Sequence, residues 1–382
     1  MRTRSLVVTA IAVLGVTAQP AAARKKPPRS VTVMTRNLYL GADITRPIVA
    51  VEGKSGGAAL VAFGNANLAT RAIVDQTSFP ARAKLLAAEI AANKPDFVGL
   101  QEVTTWRRGP KDLSKIGQPD STTVDIDFLK VLQKALVKRK APYKVVRAQQ
   151  ESDVEGPAFE GSDPFAAGGF DVRLTLRDVL LRRKASKVKV TKSFSKQYTA
   201  HLDIAFSGIQ FSFIRGAVWA DAKLGKRKFR IVTTHLESQG SALALAQAQE
   251  LLAGPAAVKG KPVIVVCDCN SDPNEAVTED GNRAAYQALT GQSPYSAVGA
   301  SPLFDTWTTA HPGDAGLTSG FSELVNDADT SRLHHRIDLV LGRTAGGTAL
   351  TVLSAKITGL VKKTAGGLWA SDHAGVVAKV KL

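Results

Sequence analysis

The stretch Val263 to Pro273, VIVVCDCNSDP, is an apolar run suited to a core strand, yet it ends in two acids, an amide and two cysteines. Alternate side chains of a strand share a face, so Asp268 and Asn270 emerge together on one side and Cys267 and Cys269 on the other. Residues i and i+2 of a strand stand about 7 Å apart, too far for an easy bridge. A Cys-x-Cys metal site would also need further soft ligands, and these are the only two cysteines. The cysteines are therefore expected to be small buried side chains, free of each other, and the polar pair to be what the strand delivers.

The same pattern recurs along the chain. Asn37 ends the β-branched run VTVMTRN, Glu102 ends FVGLQE, and His235 ends RIVTTH. Arg336 and Asp338 open RIDLVL, and Asp372 with His373 precede the closing run AGVVAKVKL. Each has a plain alternative as a turn cap or a satisfied core residue. Their coincidence at strand ends weighs more than any one alone.

The strands come in runs with helices interspersed singly, and no internal repeat or linker divides the 382 residues. Two sheets packed face to face with helices outside, an α/β four-layer sandwich, is the architecture this predicts for residues 31–382 as one domain. Helices are expected around Leu85 to Ile90, over Ile126 to Val137 and over Ser241 to Leu252. Ser55 to Asn67, rich in Gly and Ala, is expected to be a surface excursion. ESDVEGPAFEGSDPFAAGGF, after a strand at Tyr143 to Ala148, is expected to be a long acidic loop, and IQFSFIRGAVWADA one strand.

The first 23 residues carry Arg2 and Arg4, an apolar run from Leu6 to Val16 and a small-residue stretch before Arg24. They predict a secretory signal, followed by a basic arm over 24–30, and hence an extracellular protein. No stretch reaches the roughly 18 apolar residues of a membrane span. The formal charge is +17, or +15 without Arg2 and Arg4. Such an excess suits anionic partners such as nucleic acid or phospholipid head groups, and equally serves solubility alone.

Carboxylate and amide oxygens suit magnesium, or manganese, and no His-x-x-x-His or Cys-x-x-Cys pair invites a softer metal. No Gly-x-Ser-x-Gly turn or Gly-rich phosphate loop competes. Acids to hold a cation and activate water, with imidazole and guanidinium donors for the charge on phosphorus, fit metal-assisted phosphate ester hydrolysis.

TRNLYLG, VGLQEV, TTHLES, CDCNSDP, HRIDLVL and ASDHAGV, in this order, resemble the endonuclease/exonuclease/phosphatase superfamily, which includes deoxyribonuclease I and bacterial sphingomyelinases. The resemblance implies that Asn37, Glu102 and Asp372 serve the metal. It implies that His235, Asp268, Asn270, Asp338 and His373 are catalytic, and that Arg215, Asn270 and Arg336 contact substrate. The implied activity is a phosphodiesterase or nuclease with Mg²⁺ or Mn²⁺, acting on an anionic phosphate ester such as DNA or RNA. A sphingomyelinase, phospholipase C or inositol-phosphate phosphatase is the alternative, and a basic anion-binding protein the non-enzymatic one. Transient contact with an anionic membrane is possible for such a chain, and no stable protein partner is expected, so that it works as a monomer.

Overall fold

A computed structural model describes residues 30–206, 208–275, 283–295 and 302–382. The expected signal, and all of the basic arm except Ser30, lie outside these residues. Strand β1 (Ser30–Asn37) leads to helices α1 (Arg46–Val51), α2 (Gly56–Gln76) and α3 (Phe79–Asn93), then β2 (Phe97–Gln101), β3 (Thr105–Pro110), β4 (Thr123–Asp127) and α4 (Phe128–Lys138). Six strands follow: β5 (Tyr143–Ala158), β6 (Phe170–Arg183), β7 (Lys189–Gln197), β8 (Leu202–Phe206), β9 (Ile209–Phe213) and β10 (Gly216–Leu224). The chain continues through β11 (Arg227–His235), α5 (Ser241–Ala253), β12 (Val263–Asp268), α6 (Ala284–Thr290), β13 (Phe304–Asp305) and α7 (Thr306–Ala310). It closes with β14 (Asp338–Arg343), β15 (Val352–Thr358) and β16 (Gly375–Lys381).

One sheet runs β15-β16-β1-β2-β6-β3-β4, with β5 also paired to β6; the other runs β13-β14-β12-β11-β10-β7, and β8-β9 form a separate hairpin. Strand alternation builds the layers. In β12, Ile264 and Val266 join Val31, Val33 and Phe97 of the facing sheet in the central core. Val263, Val265 and Cys267 face the other way, into a core shared with Ala248, Leu251 and Leu252 of α5 and Ala285 and Leu289 of α6. The first sheet carries α3 and α4 on its outer face through Leu86, Ile90, Phe128 and Leu132. The result is the α/β sandwich of two sheets between helix layers.

Helix α3 shows how the sequence fixes its limits. Phe79, Ala83, Leu86 and Ile90 recur on one face, Pro80 occupies the first turn, and Lys94 turns left-handed before Pro95 ends the helix. Where the two sheets touch, Gly99 of β2 leaves no room for a side chain: a Cβ would lie 2.4 Å from Thr233 Oγ1 and 2.5 Å from Val266 Cγ2. Beside it Gln101 accepts from Thr35 Oγ1 (3.2 Å) and donates to Thr233 Oγ1 (3.0 Å), so β1, β2 and β11 are tied by a buried polar chain.

Four expectations change. Ser55 to Asn67 is not an excursion, since helix α2 begins at Gly56 and buries Ala59 and Phe63. Strand β5 runs on to Ala158 through the first part of the expected acidic loop, because Asp153 pairs with Arg173 of β6 and Glu155 accepts from Ser121. The single expected strand around Arg215 is broken into β9 and β10, with Arg215 at the break. Cys267 and Cys269 are joined by a disulfide. Strand β12 ends at Asp268, and the backbone between the two cysteines is bent enough there to bring their Cα atoms within 5.2 Å rather than the about 7 Å of an extended strand. Both sulfurs stay buried on the helix side, as expected of their face.

Candidate active site

Register assembles the site. His235 lies opposite Asp268 in the parallel pair β11-β12, and Asp268 lies opposite Asp338 in the antiparallel pair β12-β14. Three polar side chains thus form a row across the end of one sheet, continuing the face of Ile264 and Val266. From the other sheet, Asn37 pairs in register with Gln101, and Glu102 turns left-handed (φ 55°) directly after β2. Tyr39 (φ 56°) and Asn270 are left-handed too. Non-glycine residues in that region carry backbone strain, and such strain gathers where function needs a fixed side-chain direction.

The two sheets meet at Asn37. Its amide nitrogen donates to Glu102 Oε1 (3.0 Å) and to Asp268 Oδ2 (2.9 Å), while its oxygen accepts from the Tyr39 backbone N–H (2.7 Å). Asn37 therefore stands as a donor between two carboxylates. Glu102 is held further by the Leu40 N–H (2.6 Å).

His235 sits between Arg215 and Asp268. Arg215 Nη1 is 2.9 Å from His235 Nδ1, and arginine only donates, so Nδ1 is the acceptor and Nε2 carries the proton. Nε2–H then faces the Asp268 Oδ2 acceptor at 3.5 Å. Asn270 Nδ2, 3.0 Å from Nε2, is itself a donor and donates to the Leu236 carbonyl (2.8 Å), so the two nitrogens stand as neighbouring donors at the cleft. Burial, then the charges of Arg215 and His373, hold His235 well below the usual imidazole range, so the ring is neutral. Arg215 is in turn held by Glu237 (3.2 Å).

His373 is the opposite case. Burial would lower its pKa, but Asp338, Asp372 and Asp268 outweigh it and hold the ring charged. Its Nδ1 meets Asp338 Oδ2 at 2.8 Å, and its carbonyl accepts from Arg36 Nη1 at 2.5 Å. Burial pushes the Asp268 carboxyl up to about 7, with His373 opposing and Asp338 adding to the rise. Asp372 is raised to about 6, again chiefly by burial.

These groups open on a cleft of about 520 Å³. Glu102, Arg215, His235, Asp268, Asn270, Asp372 and His373 line it, and Asn37 and Asp338 stand behind through the bonds above. Arg336, an expected substrate contact, does not reach it. Arg336 precedes β14, and its side chain turns into the helix side, bonded to Asp305 (2.6 Å) over the Tyr286 ring. Arg82 was not foreseen. Fully buried on α3, it donates to the carbonyls of Thr77, Leu38, Ala370 and Tyr39 and so fixes the loops that carry Tyr39 and Asp372. Its signal was an arginine among the apolar positions of an amphipathic helix.

The carboxylate-rich end of the cleft fits a hard divalent cation. Four buried or half-buried acids crowd together, two of them raised in pKa, and Asp338 Oδ1 has no hydrogen-bond partner among the described residues. Oxygen donors with excess negative charge are what magnesium or manganese accepts. Asp268, Asp338 and His373 present atoms within 4.8 Å of one another, but the 2.8 Å contact of Asp338 and His373 is already a hydrogen bond. A second group, Asp272, Glu275 and His335, lies outside the cleft lining.

A two-sheet sandwich with an acid, amide and imidazole cleft at one sheet end defines the class. The chain belongs to the endonuclease/exonuclease/phosphatase family, which it matches over residues 61–373. No curated protein matches it. It is similar in structure to an endonuclease/exonuclease/phosphatase family protein from Leptotrichia buccalis, at TM-score 0.51 and 16% identity over 92% of this chain and 100% of that one. D. rerio TDP2 humanized by 14 mutations (TM-score 0.49, 16% identity, 93% of this chain and 100% of that one) is also similar. So is a Bacteroides thetaiotaomicron mannosyl-6-phosphatase (TM-score 0.48, 15% identity, 92% and 100%). At these identities the likeness concerns the fold.

Proposed function

We propose that this protein is a secreted, divalent-metal-dependent hydrolase of phosphate esters, a phosphodiesterase in the first instance, in which water attacks phosphorus. The observation that supports it is the row His235, Asp268 and Asp338 of one sheet meeting Asn37 and Glu102 of the other across a single cleft. Glu102 and Asp372 are the carboxylates that would hold Mg²⁺ or Mn²⁺, which when bound neutralises the phosphate and polarises its oxygens. Asp268, raised toward neutrality, receives the proton of the attacking water, and Asn270 and the Nε2–H of His235 orient the phosphate. His373, kept charged by Asp338, stabilises the oxygens as negative charge builds. Arg215 fixes the tautomer of His235 and adds positive charge behind it.

Hydrolysis of bis(p-nitrophenyl) phosphate tests the reading. Turnover is expected with Mg²⁺ or Mn²⁺ and not with a chelator, and Asp268→Ala or His373→Ala should lower kcat by about a hundredfold or more. Full activity in either variant sinks the site. The expected signal over residues 1–23 supports export, which predicts a mature N-terminus near Arg24.

A further inference from the structure

Away from His235, Asp268 and His373, the cleft has a mainly apolar wall. Ile44 and Ile48, from the entry to α1 and from α1 itself, Leu176 of β6, and Leu202, Ile204 and Phe213 of the β8-β9 hairpin supply its apolar part, with Asp43 and Glu52 beside α1 and Glu323 also in the lining. Ile44, Ile48, Ile204 and Phe213 also line a second cavity of about 60 Å³, which continues to Phe63, Trp106 and Val154 and has no lysine or arginine among the described residues lining it. The apolar surface therefore has depth. The hairpin that supplies half of it is anchored by Phe211 against Phe63 of α2, with ring centroids 5.6 Å apart.

Charge points the same way. Despite a formal charge of +17, Arg215 is the one lysine or arginine among the described residues lining the cleft, and it is already engaged with His235 and Glu237. A nucleic-acid backbone is held by repeated cation contacts along its path, and this cleft offers none beyond the reacting phosphate.

We propose that the cleft takes phosphate esters with an apolar organic group, an alkyl chain or an aryl ring. That group sits between α1 and the β8-β9 hairpin while the phosphate sits among His235, Asp268 and His373. The proposal rests on the hydrolase reading and names the substrate class of that same site. In a mixed diester, the water oxygen bonds to phosphorus, its proton passes to Asp268, and the P–O bond to the better leaving group breaks. An alkyl phosphate is left behind.

The test is a series of p-nitrophenyl phosphodiesters whose second group is methyl, propyl, butyl, phenyl or thymidin-5′-yl, assayed with Mg²⁺ for released p-nitrophenolate. From methyl to butyl, kcat/KM should rise by about threefold per methylene as each enters the apolar wall. Comparing phenyl with butyl tells a ring from a chain, and the thymidinyl ester should fall below butyl. Ile204→Asp should bring the butyl-to-methyl ratio close to unity, and a ratio does not depend on how much of the variant folds. Calorimetric titration with methyl- and butylphosphonate reads the same preference without turnover. A flat or falling series in an enzyme that hydrolyses the methyl ester overturns the proposal and leaves the hydrolase reading standing, as does a thymidinyl ester that outruns butyl. If no ester turns over, the hydrolase reading fails. The phosphonates then decide alone: equal affinities overturn the apolar seat, and tighter butylphosphonate binding upholds it.

Discussion

Single residues show both what a linear pattern reveals and what it hides. Asp268, Asn270, His235 and Glu102 were legible because each ends an apolar run, where a core has no use for it. Arg336 was misread for the same reason: it stands two positions before Asp338, but β14 has not yet begun there, so strand parity does not apply. Arg82 was legible in principle, as the polar exception on the face of α3 that also carries Phe79, Ala83 and Leu86. Asp171 was invisible, since nothing in the run FDVRLTL or in composition marks it: burial and the neighbouring charges of Glu155 and Asp112 push its carboxyl up to about 6, from 3.8. A carboxyl raised on folding makes the folded state bind its proton more tightly, so stability falls as pH rises from about 4 to about 6 and the full penalty persists above that. Asp171→Asn keeps an acceptor for the Asp112 N–H and has no such penalty. Its denaturant midpoint, relative to the parent, should therefore be higher at pH 7 than at pH 4; an unchanged difference would refute the assignment.

At the scale of elements, hydrophobic period did well and polar content misled. Helices α3, α4 and α5 were placed within a few residues because their apolar positions recur or their ends are marked. Helix α2 was taken for an excursion because its start is Gly-Ala-rich, yet small residues there allow close approach: a Cβ on Gly64 would lie 2.1 Å from the Phe159 ring. Strand β5 was cut short because ESDVEG reads as solvated loop. Asp153 and Glu155 instead find partners on β6 and around Ser121, and partners distant in sequence leave no trace in composition. The contact of β2 with β11 and β12 predicts an effect of its own. Gly99→Ala forces a methyl against Thr233 and Val266 and should lower stability by about 1–3 kcal/mol, measured by chemical denaturation. Because Gln101 and Glu102 follow directly, kcat should fall as well; a variant as stable and active as the parent would mean that the sheets can part without cost.

For the whole molecule, runs of strands with single helices between them were enough to expect the sandwich, and six motifs in order were enough to expect the family. Where the positive charge goes was not legible, because a net charge carries no address. Among the described residues it lies outside the cleft lining, Arg215 apart, so any binding to an anionic surface and the hydrolysis are expected to respond separately to salt. Raising NaCl from about 0.05 M to about 0.5 M should release the protein from anionic vesicles while changing kcat/KM for a small ester by less than about twofold. A parallel loss of both would place the basic surface in the site after all. No described helix is long and apolar enough to cross a membrane. The meeting of the two sheets also governs when the enzyme exists at all. Arg36, at the end of β1, holds the carbonyl of His373 across 337 positions of sequence, and β1 pairs along its length with β16. A nascent chain that has made only the sheet of β11, β12 and β14 owns Asp268 and Asp338 but not their imidazolium. On the proposed mechanism, such a chain is expected to stay inactive until the stretch around His373 has been made and has paired against β1.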